Sequence, residues 1–589
     1  MALTTKKQEI DWFPLKKTLK GYNLQKAKAD LKAGLNVALL DFPQGMAYAM
    51  IAGFPVQFGI YSSAISSITG PLFASSRFLM LGPTNATSVL LLSSFLTLNV
   101  PDEQKLLVLP LLVLMVGVIM IVGSFLRAAF FVRYISRSVI TGYITAAAVL
   151  IIVNQLKHVL GLDIPRASTF FDVLQLTMAH LTETHWPSLA LGLITALVYL
   201  PLRRYSKGIP IIVIVLAVMA AVYQFFVYMG YPTRMLPTVP VGEWPLSVPT
   251  LKFETVSQLA STAMAIGFLS ILQSSSIAKT LAARAGDKVD MNQQMFSMGV
   301  ANLGNAFGSG MPVSGSLTRS VLNYSSGAQS PVSSIVSGLI LVFGVLLCGP
   351  IIGFIPKPAL AMLVITVGIS LIHPAQIMVI LKSTRSDAGV FLTTFFAGLF
   401  FPLDTAIYLG AGVSIMLFLN KVSKPELHEM AFNDRGELAE KQSASEPNDH
   451  PEISIVHVEG DLFFGSSDIF LDQMRALVES KEKRIIILRL RNAYHLDATS
   501  AIAIGELVTF ARERGSDVIV SGAHKDVEKV FENSGLLKQI GPENFFSYTP
   551  ENVTLSTRNA LLRASEILGG RLKPNITIYA KVDEDKDDA

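Results

Sequence analysis

The sequence predicts a helical membrane protein followed by one soluble α/β domain. Three observations carry that expectation: the apolar bulk of the chain, a long series of bilayer-length apolar segments, and an abrupt change of composition near Lys421. Of 589 residues, 51% are hydrophobic and only 16% charged, and the mean hydropathy is +0.48. Soluble chains of this length carry far more charge, so most of this one belongs in lipid.

The first 32 residues are lysine-rich, with Lys6, Lys7, Lys16, Lys17, Lys20, Lys26, Lys28 and Lys32 ahead of the first apolar stretch. They lack the short apolar core and small-residue cleavage site of a secretion signal. Lysine flanks stay on the cytoplasmic side of a bilayer, so residues 1–32 are expected to be a cytoplasmic segment of the inner membrane protein. The net charge of +4 comes without a basic cluster interleaved with aromatics, which speaks against a nucleic-acid partner. One cysteine, Cys348, rules out a disulfide framework or a cysteine metal site, and no metal or cofactor is called for.

From residue 33 to 421, apolar segments suited to crossing roughly 30 Å of hydrocarbon recur about a dozen to fourteen times. The clearest are Leu106 to Ile121, Val139 to Val153, Leu189 to Leu200, Ile209 to Tyr228, Val332 to Cys348 and Tyr408 to Leu419. Residues 422–452 read as a polar linker. Beyond it, strand-like Ile453 to Val458, Ile485 to Leu490 and Val518 to Ser521 alternate with helix-like Ser467 to Glu479, Thr499 to Glu513 and Val527 to Ser534. That alternation argues a compact α/β domain over residues 453–568. Residues 569–589 end in an acidic run and read as a solvated tail. With both termini expected in the cytoplasm the number of spans is even, and fourteen fits.

Two glycine-proline interruptions fall inside the membrane region. Gly82-Pro83-Thr84-Asn85-Ala86-Thr87 opens one apolar helix, and Gly310-Met311-Pro312-Val313-Ser314-Gly315-Ser316-Leu317-Thr318-Arg319 opens another. Irregular backbone at membrane depth is tolerated where it faces protein or a water-lined cavity. Both share the order proline, any residue, polar, small, polar, one motif in each half. Such pairs mark inverted-repeat transporters whose broken helices aim their amino ends at a central site. Those ends present unpaired amides and about half a positive charge, which favours a small anion. A plain surface turn entering a helix is the bland alternative for either motif alone.

Arg319 is a charge inside the membrane, read as electrostatic support for the anion; the alternatives are a structural pair to a carboxylate or a snorkelling side chain. Asp41 and Asp404 are the notable intramembrane acids, each able to carry a coupling proton or merely to cap a helix.

Together these strings resemble the SulP sulfate-permease family, relatives of solute carrier family twenty-six. The resemblance rests on Phe42-Pro43-Gln44-Gly45-Met46-Ala47-Tyr48-Ala49, Gly59-Ile60-Tyr61-Ser62-Ser63, Ser75-Ser76-Arg77, Gly82-Pro83-Thr84, Asn292-Gln293-Gln294, Ala301-Asn302 and Pro312-Val313-Ser314-Gly315-Ser316. It implies a fourteen-span, seven-plus-seven inverted repeat with a core domain moving against a gate domain, and a homodimer. It also implies an anion pocket among Gln44, Tyr48, Thr84, Asn85, Ala86, Ser314, Gly315, Ser316, Thr318 and Arg319. Many cation-coupled members carry an acid in the eighth span, where this chain has Gln273. A neutral amide binds an anion but holds no titrating proton, so exchange, facilitated passage or coupling through another acid follows.

Residues 453–568 resemble a STAS domain, with Ile455 to Phe464 as its opening hairpin and His495-Leu496-Asp497-Ala498-Thr499 as the loop entering a helix. The resemblance makes Thr499 a candidate phosphorylation site and implies a cytoplasmic partner; helix capping by Asp497 and Thr499 is the simpler alternative. Among substrates, sulfate comes first, then bicarbonate, chloride and small dicarboxylates. A STAS-linked anion sensor is the reading of another class, and an enzyme is disfavoured for want of a nucleophile beside a histidine base.

Overall fold

The computed structural model describes residues 10–98, 102–130, 135–165, 167, 169–205, 211–239, 244–432, 438–440, 452–479, 484–550, 552 and 554–569. The acidic tail and most of the expected linker lie outside them. The described chain forms two compact units, residues 1–415 and 416–589.

The first unit is helical: α1 (Leu15–Leu19), α2 (Leu24–Ala52), α3 (Val56–Thr69), α4 (Asn85–Thr97), α5 (Asp102–Phe125), α6 (Arg137–Leu160), α7 (Phe170–Ala179), α8 (Trp186–Tyr205), α9 (Ile211–Tyr228), α10 (Phe253–Ala285), α11 (Met291–Phe307), α12 (Leu317–Ser325), α13 (Val332–Ile352), α14 (Lys357–Leu371), α15 (Pro374–Ser383), α16 (Arg385–Phe400) and α17 (Leu403–Val422). Two strands of two residues each, β1 (Leu81–Gly82) and β2 (Ser314–Gly315), precede α4 and α12. Among the described residues seven stretches are long and apolar enough to cross a bilayer: α5, α6, α8, α9, α10, α17, and α14 taken together with α15. Others fall short because glycine and proline interrupt them, as before α4 and α12.

The packing pattern repeats. Helix α3 packs on α13 as α11 does on α5; α2 packs on α13 as α10 does on α5; α6 packs on α16 as α14 does on α8. Exchanging α2–α6 for α10–α14, and α8 and α9 for α16 and α17, carries each pair onto the other. The equivalent strands β1 and β2 run antiparallel, Leu81 opposite Gly315 and Gly82 opposite Ser314. Two equivalent strands pairing antiparallel are related by a local two-fold axis, which makes the repeat an inverted one. Close approach matters at its seams: a Cβ on Gly59 in α3 would collide with the backbone of Gly45 in α2, so only glycine fits.

The second unit is a six-stranded sheet in the order β4-β3-β5-β6-β7-β8: β3 (Glu426–Phe432), β4 (Leu438–Glu440), β5 (Ile453–Asp461), β6 (Ile485–Tyr494), β7 (Asp517–Ala523) and β8 (Phe545–Ser547). Helices α18 (Phe464–Val478), α19 (Ala498–Glu513), α20 (Lys525–Asn533), α21 (Leu536–Ile540) and α22 (Leu555–Ile567) accompany it. The alternation along β5 sends Val456 and Val458 into one apolar core, and Ile453 and Ile455 into another that includes Ala560 and Leu561 of α22. Two expectations are corrected here. The segment read as linker supplies β3 and β4, and the opening hairpin joins β3 to β5, Leu427 opposite Val458. Ile455 to Phe464 is one strand running into α18. Glu426, His428 and Glu429 in β3 hid its strand character.

Candidate functional site

The two motifs meet. Pairing of β1 with β2 brings the starts of α4 and α12 to one place, each helix beginning within three residues of its strand. Thr84 caps α4: its hydroxyl accepts from the Thr87 amide at 3.3 Å, and Thr87 Oγ1 accepts from the Thr84 amide at 3.1 Å. This reciprocal box leaves the first amides, those of Asn85 and Ala86, without helical partners. In α12, Ser316 is the N-cap residue and its side chain bonds no helix amide.

A buried frame of side chains holds these short strands. Asn302 of α11 brackets Val313, accepting from its amide at 3.0 Å and donating to its carbonyl at 3.2 Å. Ser66 donates to the Leu81 carbonyl at 3.0 Å, and Ser62 accepts from the Met311 amide at 2.6 Å. Met80 donates its amide to Ser320 Oγ at 2.9 Å. Tyr143 of α6 donates to the Ala86 carbonyl at 3.1 Å. Of the frame residues, Asn302 and Ser62 stood in family strings, and the bonds themselves are not visible in sequence.

Arg319 is fully buried. Its Nη1 donates to Asp41 Oδ1 at 2.5 Å and to Ser63 Oγ at 3.2 Å, and its Nη2 donates to the Pro83 carbonyl at 2.6 Å. Ser63 also donates to Asp41 Oδ1 at 2.8 Å. The guanidinium lies where a side chain on Gly82 would stand, since a Cβ there would collide with it. The arrangement observed is thus the structural pair with a carboxylate, tying α2 to α12 and to the turn before α4. A matched pair adds no net charge, so the positive potential at this place comes from the two helix ends. The same geometry gives Asp41 a fixed partner rather than a lone place in lipid.

The remaining expected residues divide. Ser314 and Gly315 turn toward α10: the Gly315 amide donates to Ser274 Oγ at 2.8 Å, and Ser314 Oγ lies 3.4 Å from Ser274 Oγ and 3.5 Å from Gln273 Oε1. They belong to the frame rather than to an open pocket. Gln44, on the same face of α2 as Asp41 and Tyr48, is 7% exposed with a carboxamide oxygen that has no partner. The Asn85 carboxamide oxygen is likewise buried and unpartnered. Tyr48 is 4% exposed, its ring 6.0 Å from the Arg319 guanidinium carbon. Ser316 and Thr318 place their hydroxyls 3.4 Å apart, Thr318 exposed. Asp404 lies in the first turn of α17, with one carboxylate oxygen buried and unpartnered. The place where the helices meet therefore offers first-turn amides, two hydroxyls, a phenol and two carboxamides. The amides and hydroxyls among these groups donate without formal charge, while the two free carboxamide oxygens accept.

Residues 28–394 match the sulfate permease family and residues 445–551 match the STAS domain. The chain belongs to the sulfate permease family. This permease is 27% identical over 575 residues to "Sulfate transporter 4.1, chloroplastic" of Arabidopsis thaliana, covering 91% of this chain and 82% of that one. It is 25% identical over 544 residues to "Putative sulfate transporter YvdB" of Bacillus subtilis, covering 90% and 98%. Its fold is similar to that of the murine solute carrier 26 family member A9 anion transporter in the inward-facing state, with a TM-score of 0.84 at 20% identity over 96% of this chain and 97% of that one.

In the permease's STAS domain, Asp497 caps α19, accepting from the Ser500 amide and hydroxyl, each at 2.9 Å. Its other oxygen accepts from the Phe464 amide of α18 at 2.7 Å. Burial pushes this carboxyl up, but the bonds from Ser500 and Phe464 outweigh it and hold the group below the usual carboxylate range. Thr499 is exposed in the first turn of α19.

Proposed function

We propose that this permease is a secondary transporter of small inorganic anions, sulfate first, working by alternating access. The observation that carries the reading is the meeting of two short helices at β1 and β2, next to a charge-neutral Arg319–Asp41 pair, since helix starts of this kind favour a small anion. An anion there is held by Gln44, Tyr48, Asn85, Ala86, Ser316 and Thr318, while Thr84, Gln273, Ser314, Gly315 and Arg319 position them. The names of its relatives support sulfate; hydrogen-bond donors of this kind also suit bicarbonate, chloride or a dicarboxylate.

Gln273 carries no proton, so exchange or facilitated passage is the simplest mode. A proton on Asp41 would leave the Arg319 charge uncompensated beneath the anion, which makes Asp41 the coupling group if a gradient drives uptake; Asp404 is the second candidate. The lysine-rich start supports a cytoplasmic N-terminus, with the STAS domain on the same side, and we take the working form to be a homodimer in the cytoplasmic membrane. Thr499 is the proposed regulatory hydroxyl; phosphate there would gain from the helix end and lose to Asp497.

The test is flux in proteoliposomes for sulfate, bicarbonate, chloride, oxalate and fumarate, with and without proton and sodium gradients. Transport of at least one anion, lowered by Ser316→Ala with Thr318→Ala, is expected. Anion binding without movement would replace the transporter by a sensor.

A further inference from the structure

One cluster in the second unit serves neither the sheet's two cores nor the helix end at Thr499. Strands β3 and β5 pair Glu426 with Glu459 and His428 with His457. Residues two apart on a strand share a face, and directly opposed residues stand about 5 Å apart at Cβ. The four side chains therefore form a square on one side of the sheet, the side that carries Met430 and Ile455 further along.

The distances suit a common ligand. One donor atom each from Glu426, His428 and Glu459 lies within 4.8 Å of the others. His428 Nε2 is 3.8 Å from Glu426 Oε2, and His457 Nε2 is 3.2 Å from Glu459 Oε1. Donors at about 2.0–2.1 Å from a tetrahedral ion stand roughly 3.4 Å apart, so small side-chain rotations close the set. His457 is only 6% exposed, and its Nε2, 3.2 Å from Glu459 Oε1, borders the set of three. Asn492 of β6 donates to Glu459 Oε1 at 3.2 Å and lies 3.2 Å from His457 Nε2, which orients both. Arg489, the β6 neighbour of His457, opposes a cation, and the two carboxylates outweigh that single charge.

We propose that Glu426, His428, His457 and Glu459 form a binding site for one divalent transition-metal ion of zinc type. Two imidazoles with two carboxylates are a borderline donor set, suited to zinc over magnesium or calcium. The ion would clamp β3, the first strand after α17, onto the parallel part of the sheet.

The experiment uses the full chain in detergent, stripped with chelator and then titrated with zinc chloride or cobalt chloride. One zinc per chain is expected by metal analysis, and cobalt should give the visible absorption of a four-coordinate site. His428→Gln and Glu426→Gln, both on the less buried strand, should each weaken zinc by at least about tenfold, and Asn492→Ala by about tenfold. Arg489→Gln should tighten it. Zinc affinity unchanged in His428→Gln and Glu426→Gln, or only weak binding of several ions in the unaltered chain, would overturn the assignment.

Discussion

Removing one member of a buried ion pair strands the other in a medium that cannot solvate it, at a cost of about 3–5 kcal/mol. Arg319→Ala and Asp41→Ala should therefore both lower the melting temperature of the purified permease and abolish flux. The double variant Asp41→Asn/Arg319→Gln should melt closer to the parent than either single variant. If the singles melt like the parent, the pair does not hold α2 to α12. A second residue-scale prediction concerns His495, whose Nδ1 lies 3.0 Å from Asp461 Oδ1. That hydrogen bond, helped by the Asp461 charge, raises the imidazole above its ordinary 6.5. A raised pKa means the contact is fully present below pH 6.5 and is lost as pH climbs through the folded value. Asp461→Asn should return the His495 titration, followed by NMR, to about 6.5.

At the scale of elements, the start of α4 depends on its cap. Thr84→Ala should cost about 1 kcal/mol and loosen the first turn, seen as a raised KM for the anion with protein yield little changed; Thr84→Ser should restore the parent value. Gly82→Ala should be worse, because its methyl group meets the Arg319 guanidinium. The proline-centred motifs were legible in sequence because broken backbone at membrane depth needs glycine, proline and hydroxyls in a fixed order. The partner of Arg319 was not, since Asp41 lies 278 positions away and either of two acids satisfied the same requirement. Ser314 and Gly315 looked like ligands for the same reason that they make good frame: a small polar residue serves both. Strand β3 escaped notice because Glu426, His428 and Glu429 give it a linker's composition.

For the whole molecule, the inverted repeat and the α/β domain could be foreseen from hydropathy, span parity and the recurring motif. The packing that relates the halves could not, because helix neighbours are chosen by side-chain shape across hundreds of residues. Gln273 makes a prediction at this scale: flux should need a counter-anion and ignore an imposed proton gradient. Gln273→Glu should bring proton dependence, while proton dependence in the parent that Asp41→Asn abolishes would move coupling to α2.

The two-residue strands β1 and β2 are small, yet each is contributed by a different half of the permease. Because they are stitched to one another and to α2, α3, α10 and α11, whatever rests between them cannot be released by parting the halves. Under the function proposed above, the cargo would ride as a passenger on a single raft, with the surrounding helices sliding past it to open the doorway.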